Sequence, residues 1–271
     1  MKISVKMDGL DALQAKLRGL ADKKIAVAAV AALNDSAFLT KKATERIIVD
    51  VFDRPTPWIS KSVRYVKARS DKLESSIDFD QWGNKFGVTA GMVLHAQIYG
   101  GQRRHKRHEA ALKHYGVLPE NMYIVPGEGA QIDAFGNMNI GQIRQILSYL
   151  RVAERTSGYT SNMTGKTRDR LRAGNKKRGI NGFEYFVVQP GQRRQFLRAN
   201  GKTGSHAMQP GIYQRIFLGH GTAIKPVMIL VKSPSYKRRL DFYRLAEEVG
   251  VKEFNRAFPM YLEKLLKERG L

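Results

Sequence analysis

Cysteine is absent from the 271-residue sequence, and its absence excludes several kinds of site at once. Without thiols the chain has no disulfide bond, no thiolate ligand for zinc and no cysteine nucleophile. Long apolar runs are also missing, since no stretch approaches the roughly 18 apolar residues that span a bilayer. The first residues, MKISVK, do not open the apolar region of a signal peptide. We therefore expect a soluble protein that is not exported by that route and does not contact a membrane.

Acidic residues are scarce relative to basic ones. The chain has 24 Asp and Glu against 47 Lys and Arg, a formal net charge of +23. Such an excess favours contact with nucleic acid or with an acidic protein surface, and charge alone does not choose between them. The excess is uneven, because residues 151–200 hold 12 basic and 3 acidic residues while residues 1–50 hold 9 and 6.

The basic residues cluster at three places that are candidates for contact with a partner or with DNA. Residues 157–179 have little apolar content, and we expect this segment to be flexible until a partner orders it. The candidate contact residues are Arg103, Arg104, Lys106 and Arg107 near Tyr99, Lys176, Lys177 and Arg178, and Arg193 and Arg194 near Phe196. Cations mixed with aromatic residues are typical of nucleic-acid surfaces and equally of subunit contacts, and a solvated basic loop is a third interpretation.

Hydrophobic periodicity predicts an α+β fold, with an antiparallel sheet packed against a long N-terminal helix and a C-terminal helix. Residues 24–46 read as a helix whose middle, AVAAVAAL, is small or apolar enough for another backbone to approach closely. The expected strands are residues 3–5, 63–68, 73–79, 183–188, 211–218 and 226–231, and residues 86–88 and 92–96 could extend the sheet. Two further helices are expected, one over residues 10–20 and one at the C-terminus over residues 254–266, where Pro259 must begin or kink it.

A central loop-and-helix insertion interrupts this core. Gly100-Gly101 and Pro126-Gly127 break the chain, and Asn139 followed by Gln142 is typical of a helix start. Ile140, Ile143, Ile146, Leu147 and Leu150 would then share one buried helical face. We accordingly divide the chain into a core of residues 1–97 and 180–271, an insertion of residues 98–156 and a basic flexible segment of residues 157–179.

No catalytic constellation is complete. His105, His108 and His114 lie among basic residues that repel a metal cation. Gly211-Ile-Tyr213 lacks the second signature of the nucleases that it resembles, and Gly201-Lys-Thr203 lacks the first glycine of a phosphate-binding loop. Asp71, Asp78 and Asp80 have no partner motif for a metal-dependent nuclease. We therefore expect no enzyme activity, no cofactor and no metal site.

Several segments together resemble the minor tail protein Z family of tailed bacteriophages and, more broadly, tail-completion and neck proteins. The segments are residues 7–13 (MDGLDAL), 31–34 (AALN), 54–58 (RPTPW) and 62–66 (SVRYV). A further tract, residues 100–104 (GGQRR), 126–127 (PG) and 136–148 (GNMNIGQIRQILS), resembles uncharacterised phage and prophage virion proteins that share this layout. The resemblance is one of pattern and covers most of the chain. The long insertion and the basic segment are departures from the shorter members.

The resemblance implies a structural protein of the virion, located in the neck or tail and assembled in the host cytoplasm. It implies a homo-oligomeric ring, most plausibly a hexamer, that joins a tail terminator or tail tube to the head connector and has possible contact with genomic double-stranded DNA. The alternatives are a DNA-binding or DNA-processing phage protein, for which the net charge of +23 is the main support, and a peripheral tail or baseplate component.

Overall fold

The computed structural model describes residues 2–6, 20–83, 87–153, 161–197, 203–232 and 235–267. These residues form two compact units. The first unit lies within residues 1–103 and 236–271, and the second unit within residues 104–235. The predicted helix over residues 10–20 falls almost wholly outside the described residues.

Two long helices form the framework of the first unit. Helix α1 spans Leu20–Val51, and the C-terminal helix of the chain, α7, spans Phe242–Lys267. The two helices pack closely because small side chains lie between them: Ala28, Ala29 and Ala32 of α1 are fully buried. The Ser36 hydroxyl donates a hydrogen bond of 2.6 Å to the Gly250 carbonyl of α7. The predicted role of the small-residue segment is thereby confirmed.

A three-stranded antiparallel sheet packs on α1. Its strands are β1 (Lys2–Lys6), β2 (Val63–Val66) and β3 (Glu74–Phe79), in the order β1-β3-β2. A short helix, α2 (Pro57–Ser60), precedes β2. The amide of Asn34 ties the helix to the chain after β2, since it donates to the Ala68 carbonyl at 3.2 Å and accepts from the Ala68 N–H at 2.7 Å.

Helix α3 (Ala90–Tyr99) occupies the place where the sequence suggested further strand. The prediction of strand over residues 92–96 is wrong. Of the four buried residues of the helix, Ala90, Leu94 and Ile98 recur every four positions, which is a helical spacing, and Ala96 is the fourth. The Thr89 hydroxyl begins the helix by accepting the N–H of Met92 at 3.3 Å.

The second unit is built on a four-stranded antiparallel sheet. Its strands are β5 (Met122–Pro126), β6 (Gly182–Val188), β9 (Gly211–Phe217) and β10 (Thr222–Lys232), in the order β5-β10-β9-β6. Helices α4 (Arg107–His114) and α5 (Ile140–Tyr149) contribute to its core with Leu112, Ile146 and Leu147, which are fully buried. As predicted, Asn139 begins α5, because its side chain accepts the N–H of Gly141 at 2.7 Å.

The remaining elements are short. They are β4 (Gly101–Gln102), helix α6 (Gly165–Ala173), a 3₁₀ helix (Lys176–Arg178), the antiparallel pair β7 (Arg193–Leu197) and β8 (Thr203–Ala207), and β11 (Ser235–Tyr236). The chain thus has the expected α+β fold, with antiparallel sheets, a long N-terminal helix and a C-terminal helix. Helix α7 extends through Pro259, which therefore does not begin it.

The division of the chain differs from the one that the sequence suggested. Strands β6, β9 and β10 belong to the second unit together with residues 104–179, and not to a core shared with the N-terminal segment. The reason is strand pairing: β10 pairs on one side with β9 and on the other with β5, which lies about a hundred residues earlier. The predicted insertion and the later strands therefore form one sheet.

The flexibility expected of residues 157–179 stays a prediction, and the structure describes two helical elements within this segment. Residues 165–173 form α6, and residues 176–178 form the 3₁₀ helix. Residues 157–160 lie outside the described residues. Among the helices that the structure does describe, none is both long and apolar enough to cross a membrane.

Candidate nucleic-acid interface

Helix α6 is a basic helix that lies on the surface beside strand β6. None of its residues is buried, so apolar burial does not hold it in place. It begins at Thr164, whose hydroxyl accepts the N–H of Thr167 at 3.2 Å. The chain just before it is bonded to the end of α5, because the Ser148 hydroxyl donates to the Ser161 carbonyl at 2.8 Å.

Two arginines, one helical turn apart, attach α6 to aromatic residues of the second unit. The guanidinium carbon of Arg168 is 5.8 Å from the ring centroid of Tyr149, and that of Arg172 is 5.4 Å from the ring centroid of Phe217. At these distances the cations interact favourably with the ring faces. Tyr149 belongs to α5 and Phe217 to β9, and we call Arg168 and Arg172 the inward arginines.

Glu184 of β6 adds an electrostatic link to this side of the helix. Its carboxylate lies 3.6 Å from Nε of Arg172 and 2.5 Å from Nη1 of Arg215, and its side chain is only 15% exposed. Arg215 in turn lies 4.9 Å above the ring of Phe186. One carboxylate thus serves two guanidinium groups, each of which also covers an aromatic face.

The end of α6 approaches β6 so closely that only glycine fits. A Cβ on Gly182 would lie 1.8 Å from the Arg172 carbonyl oxygen. Gly174 ends the helix with a φ of +68°, which favours glycine, and a Cβ there would lie 2.4 Å from the Gly182 nitrogen. Asn175 and Ile180 then exchange backbone hydrogen bonds of 2.8 and 3.0 Å, which closes a turn over residues 176–179.

Within the described residues, four further basic side chains of this segment contact neither an aromatic ring nor Glu184. Lys166 and Arg170 of α6 and Lys177 and Arg178 of the following turn are exposed. Within the part of the chain that the structure describes, none of the four has an ion-pair partner. We call these four residues the outward set.

Burial and charge around the segment perturb two tyrosines. Burial, aided by the charge of Glu184, raises the pKa of Tyr149, and the cations of Arg168 and Arg172 oppose that rise. Burial raises the pKa of Tyr185 to about 12. Neither hydroxyl is ionised at neutral pH, so neither offsets the positive charge of the outward set.

The structure assigns different surroundings to the residues predicted from sequence. Lys177, Arg178 and Arg193 are exposed, whereas the side chains of Lys176 and Arg194 lie outside the described residues. In the first basic tract Arg104 and Lys106 are exposed, while Arg103 and Arg107 are half-buried. Sequence reasoning missed Lys166 and Arg170, although their spacing of four on one helical face was a visible signal.

Sequence reasoning also missed Glu109, which organises the tract that precedes α4. Its fully buried carboxylate accepts the N–H of Lys106 at 2.6 Å and the N–H of Ile124 at 2.8 Å. The first bond caps the start of α4, and the second satisfies an N–H of strand β5, which lies at the edge of the sheet. One side chain therefore joins the helix to the sheet.

The histidines and aspartates considered above have structural contacts. His105 stacks on Tyr123 with ring centroids 4.3 Å apart, and its Nε2 lies 3.4 Å from Nζ of Lys113. Arg69 lies 2.8 Å from Asp71 and lowers the pKa of that carboxyl group. Among the residues that the structure describes, no group of three or more acidic or histidine side chains could hold a metal ion.

Comparison with known proteins adds no relative. No family model, no curated protein and no solved structure matches the chain.

Proposed function

We propose that the chain is a structural protein of a phage virion, located in the neck or tail-completion region. In this proposal it forms a homo-oligomeric ring, a hexamer, that joins the tail terminator or tail tube to the head connector. It acts through assembly and not through catalysis. The sequence resemblance supports the class of protein, and a surface feature of the first unit supports the self-association.

That feature is a row of exposed apolar side chains on α1. Val27, Phe38 and Val49 are 52%, 42% and 54% exposed and are separated by 11 residues each. Eleven residues complete three helical turns to within about 20°, so the three side chains lie in one line about 33 Å long. Single exposed apolar residues are common, and what distinguishes these three is their alignment along one side of a long helix. We assign this row to the contact between copies in the ring.

Electron microscopy of particles made without the chain tests the location. Tailless heads beside free tails are the expected result, because the joining ring would be missing. Normal particles would contradict the neck assignment. Complete particles that fail only in DNA processing would favour the alternative of a DNA-processing protein.

The mass of the purified protein, measured across a range of concentrations, tests the self-association. We expect an oligomer that weakens when Val27, Phe38 and Val49 are replaced by serine. A matched control replaces Val66, Met92 and Val93, which are 63%, 43% and 48% exposed elsewhere in the first unit. If the control dissociates the oligomer and the row variant does not, the contact lies on another face.

A second candidate function, DNA binding without a structural role, is favoured by the outward set of the second unit. The two functions differ in the particle experiment above. In both, the protein has no nuclease activity, and incubation with plasmid DNA and Mg²⁺ should leave the plasmid intact. Cleavage that disappears in a variant with Asp78→Asn and Asp80→Asn would overturn this expectation.

A further inference from the structure

We propose that the outward set, Lys166, Arg170, Lys177 and Arg178, binds the sugar-phosphate backbone of double-stranded DNA. The inward arginines do not contact the DNA and instead hold the binding helix on the sheet. The inference rests on the proposed virion function for the identity of this DNA as the packaged genome. The binding itself is a property of the second unit and is measured without any particle.

The arrangement of the basic residues on α6 carries the proposal. Lys166 and Arg170 are four residues apart and share one side of the helix, as do Arg168 and Arg172. The two pairs are offset by two residues, which is about 200° around the helix axis, so they face opposite directions. The contacts of Arg168 and Arg172 with Tyr149 and Phe217 place the guanidinium groups of the second pair against protein rings, while the Arg172 side chain keeps 61% of its surface exposed. The first pair consequently faces solvent.

The local charge favours a polyanion as the ligand. Residues 161–182 contain seven Lys or Arg and a single acidic residue, Asp169. Lysine is depleted at the centre of protein interfaces, which are rich in aromatic and other apolar side chains. Of the large apolar side chains in residues 161–182, all of which the structure describes, Ile180 alone is exposed. A surface dominated by cations suits DNA phosphates better than it suits an acidic protein partner.

The aromatic residues around α6 favour duplex DNA over a single strand. Proteins that bind single strands stack the bases on exposed aromatic faces. Here Arg168 covers a face of Tyr149 and Arg172 covers a face of Phe217. Phe186 contacts both Arg215, at 4.9 Å, and the ring of Tyr213, whose centroid is 5.6 Å away. These cations lie over ring faces on which the bases of a single strand would have to stack. Contact through phosphates alone carries no sequence information, so binding should be independent of sequence.

The surface is formed before DNA binds. The contact between Gly174 and Gly182 and the backbone bonds between Asn175 and Ile180 fix the turn that carries Lys177 and Arg178. Binding therefore does not require this stretch of chain to become ordered, which would reduce affinity.

Fluorescence anisotropy with a labelled 30-base-pair duplex of arbitrary sequence tests the proposal on the full chain. The variant replaces the outward set by Lys166→Gln, Arg170→Gln, Lys177→Gln and Arg178→Gln. The control removes the same charge from exposed lysines of the first unit by Lys61→Gln, Lys67→Gln, Lys252→Gln and Lys264→Gln. Thermal unfolding of both variants should match the parent protein because all eight side chains are exposed.

The salt dependence of binding gives the expected outcome. The slope of log K against log salt is about −0.9 for each phosphate neutralised, so the outward variant should lose about 3 to 4 units of slope. Its affinity at low salt should fall by at least tenfold, whereas the control should keep the slope of the parent protein. Equal losses in the two variants, unchanged binding by the outward variant, or tighter binding of a single strand of the same length would overturn the proposal. Equally tight binding of polyglutamate would also overturn it and would indicate an acidic protein partner.

These results are independent of the particle experiment. Normal particles in the absence of the chain, together with DNA binding by the purified protein, would contradict the virion function alone. Tailless heads beside free tails, together with no DNA binding by the outward set, would contradict the DNA contact alone.

Discussion

Replacing Ile146 by alanine should destabilise the second unit by about 3 kcal/mol. The side chain of Ile146 is 0% exposed in the cluster formed by α4, α5 and the four-stranded sheet. The substitution removes three carbon atoms, and each buried carbon contributes about 0.8 kcal/mol through its transfer from water. The cavity that remains adds a further cost, so that comparable substitutions in buried cores span about 2 to 5 kcal/mol.

A matched control lies six residues earlier on the same helix. Ile140 was expected to share the buried face, but it is 55% exposed because it is the first residue of α5. The change Ile140→Ala should therefore alter the free energy of unfolding by no more than about 0.5 kcal/mol. The comparison holds the substitution and the helix constant and varies only the burial.

Hydrogen exchange read peptide by peptide is the appropriate assay for Ile146→Ala. Both tryptophans, Trp58 and Trp82, belong to the first unit, so tryptophan fluorescence reports on that unit and not on the second. The amides of β9 and β10 should exchange faster in Ile146→Ala and at the parent rate in Ile140→Ala. Equal protection in the parent protein and Ile146→Ala, or equal loss in the two variants, would refute the assignment of the buried face.

Three further perturbations test other parts of the second unit. Glu109→Ala should cost about 2 to 4 kcal/mol, because it leaves the buried N–H of Ile124 and a second backbone N–H without their acceptor; a thermal denaturation curve like that of the parent protein would contradict this role. Burial raises the pKa of Tyr185 in the folded state from 10.0 to about 12. The contribution of this residue to the free energy of unfolding is therefore complete below pH 10 and declines by up to about 3 kcal/mol as the pH rises through 12. Denaturant unfolding at pH 8 and pH 11.5 should show a smaller pH dependence for Tyr185→Phe, and an identical dependence would exclude this cause. Gly182→Ala should displace α6, since its Cβ would meet the Arg172 carbonyl, and proteolysis within α6 should then accelerate; unchanged cleavage would show that the backbone adjusts.

The sequence predicted elements whose signals are local. The small-residue helix was predicted over residues 24–46 and spans Leu20–Val51, and the strands over residues 183–188 and 211–218 are present within one residue. The start of α5 at Asn139 was also correct, because a capping side chain acts on the N–H groups beside it. Such signals depend on few residues and survive in any tertiary context.

Other features depend on contacts that a single sequence does not display. Residues 92–96 are a short apolar run, and such a run is compatible with a strand and with a buried helix. The burial of Leu94 and Ile98 in the folded unit selects the helix. The pairing of β5 with β10 joins residues that are far apart in the sequence, and no local sequence signal predicts it. Glu109 was overlooked for the same reason, since one of its two hydrogen bonds reaches Ile124 on another element.

Composition alone did not predict the helix that the structure describes in the basic segment. A stretch with few apolar residues is expected to lack structure because it cannot bury enough apolar surface to offset the entropy of ordering. Here the side chains that anchor the helix are themselves cations: Arg168 and Arg172 cover aromatic rings contributed by other elements. A guanidinium group is planar and weakly hydrated, so it can lie on a ring while it keeps its charge. The same residue type therefore fixes the helix on one side and offers charge on the other.

The difference between anchoring arginines and exposed cations changes how the net charge of the chain should be interpreted. A sum of +23 treats all 47 basic residues as equivalent, yet Arg172 and Arg215 share the Glu184 carboxylate and cover aromatic rings. Charge that is neutralised within the second unit contributes little to the attraction of a polyanion, since the nearby carboxylate offsets it. The exposed cations without a carboxylate partner therefore set the strength of the attraction. Among the described side chains of α6 and the turn after it these are the outward set, and under the proposed DNA contact their number and spacing, more than the total charge, set the affinity for DNA.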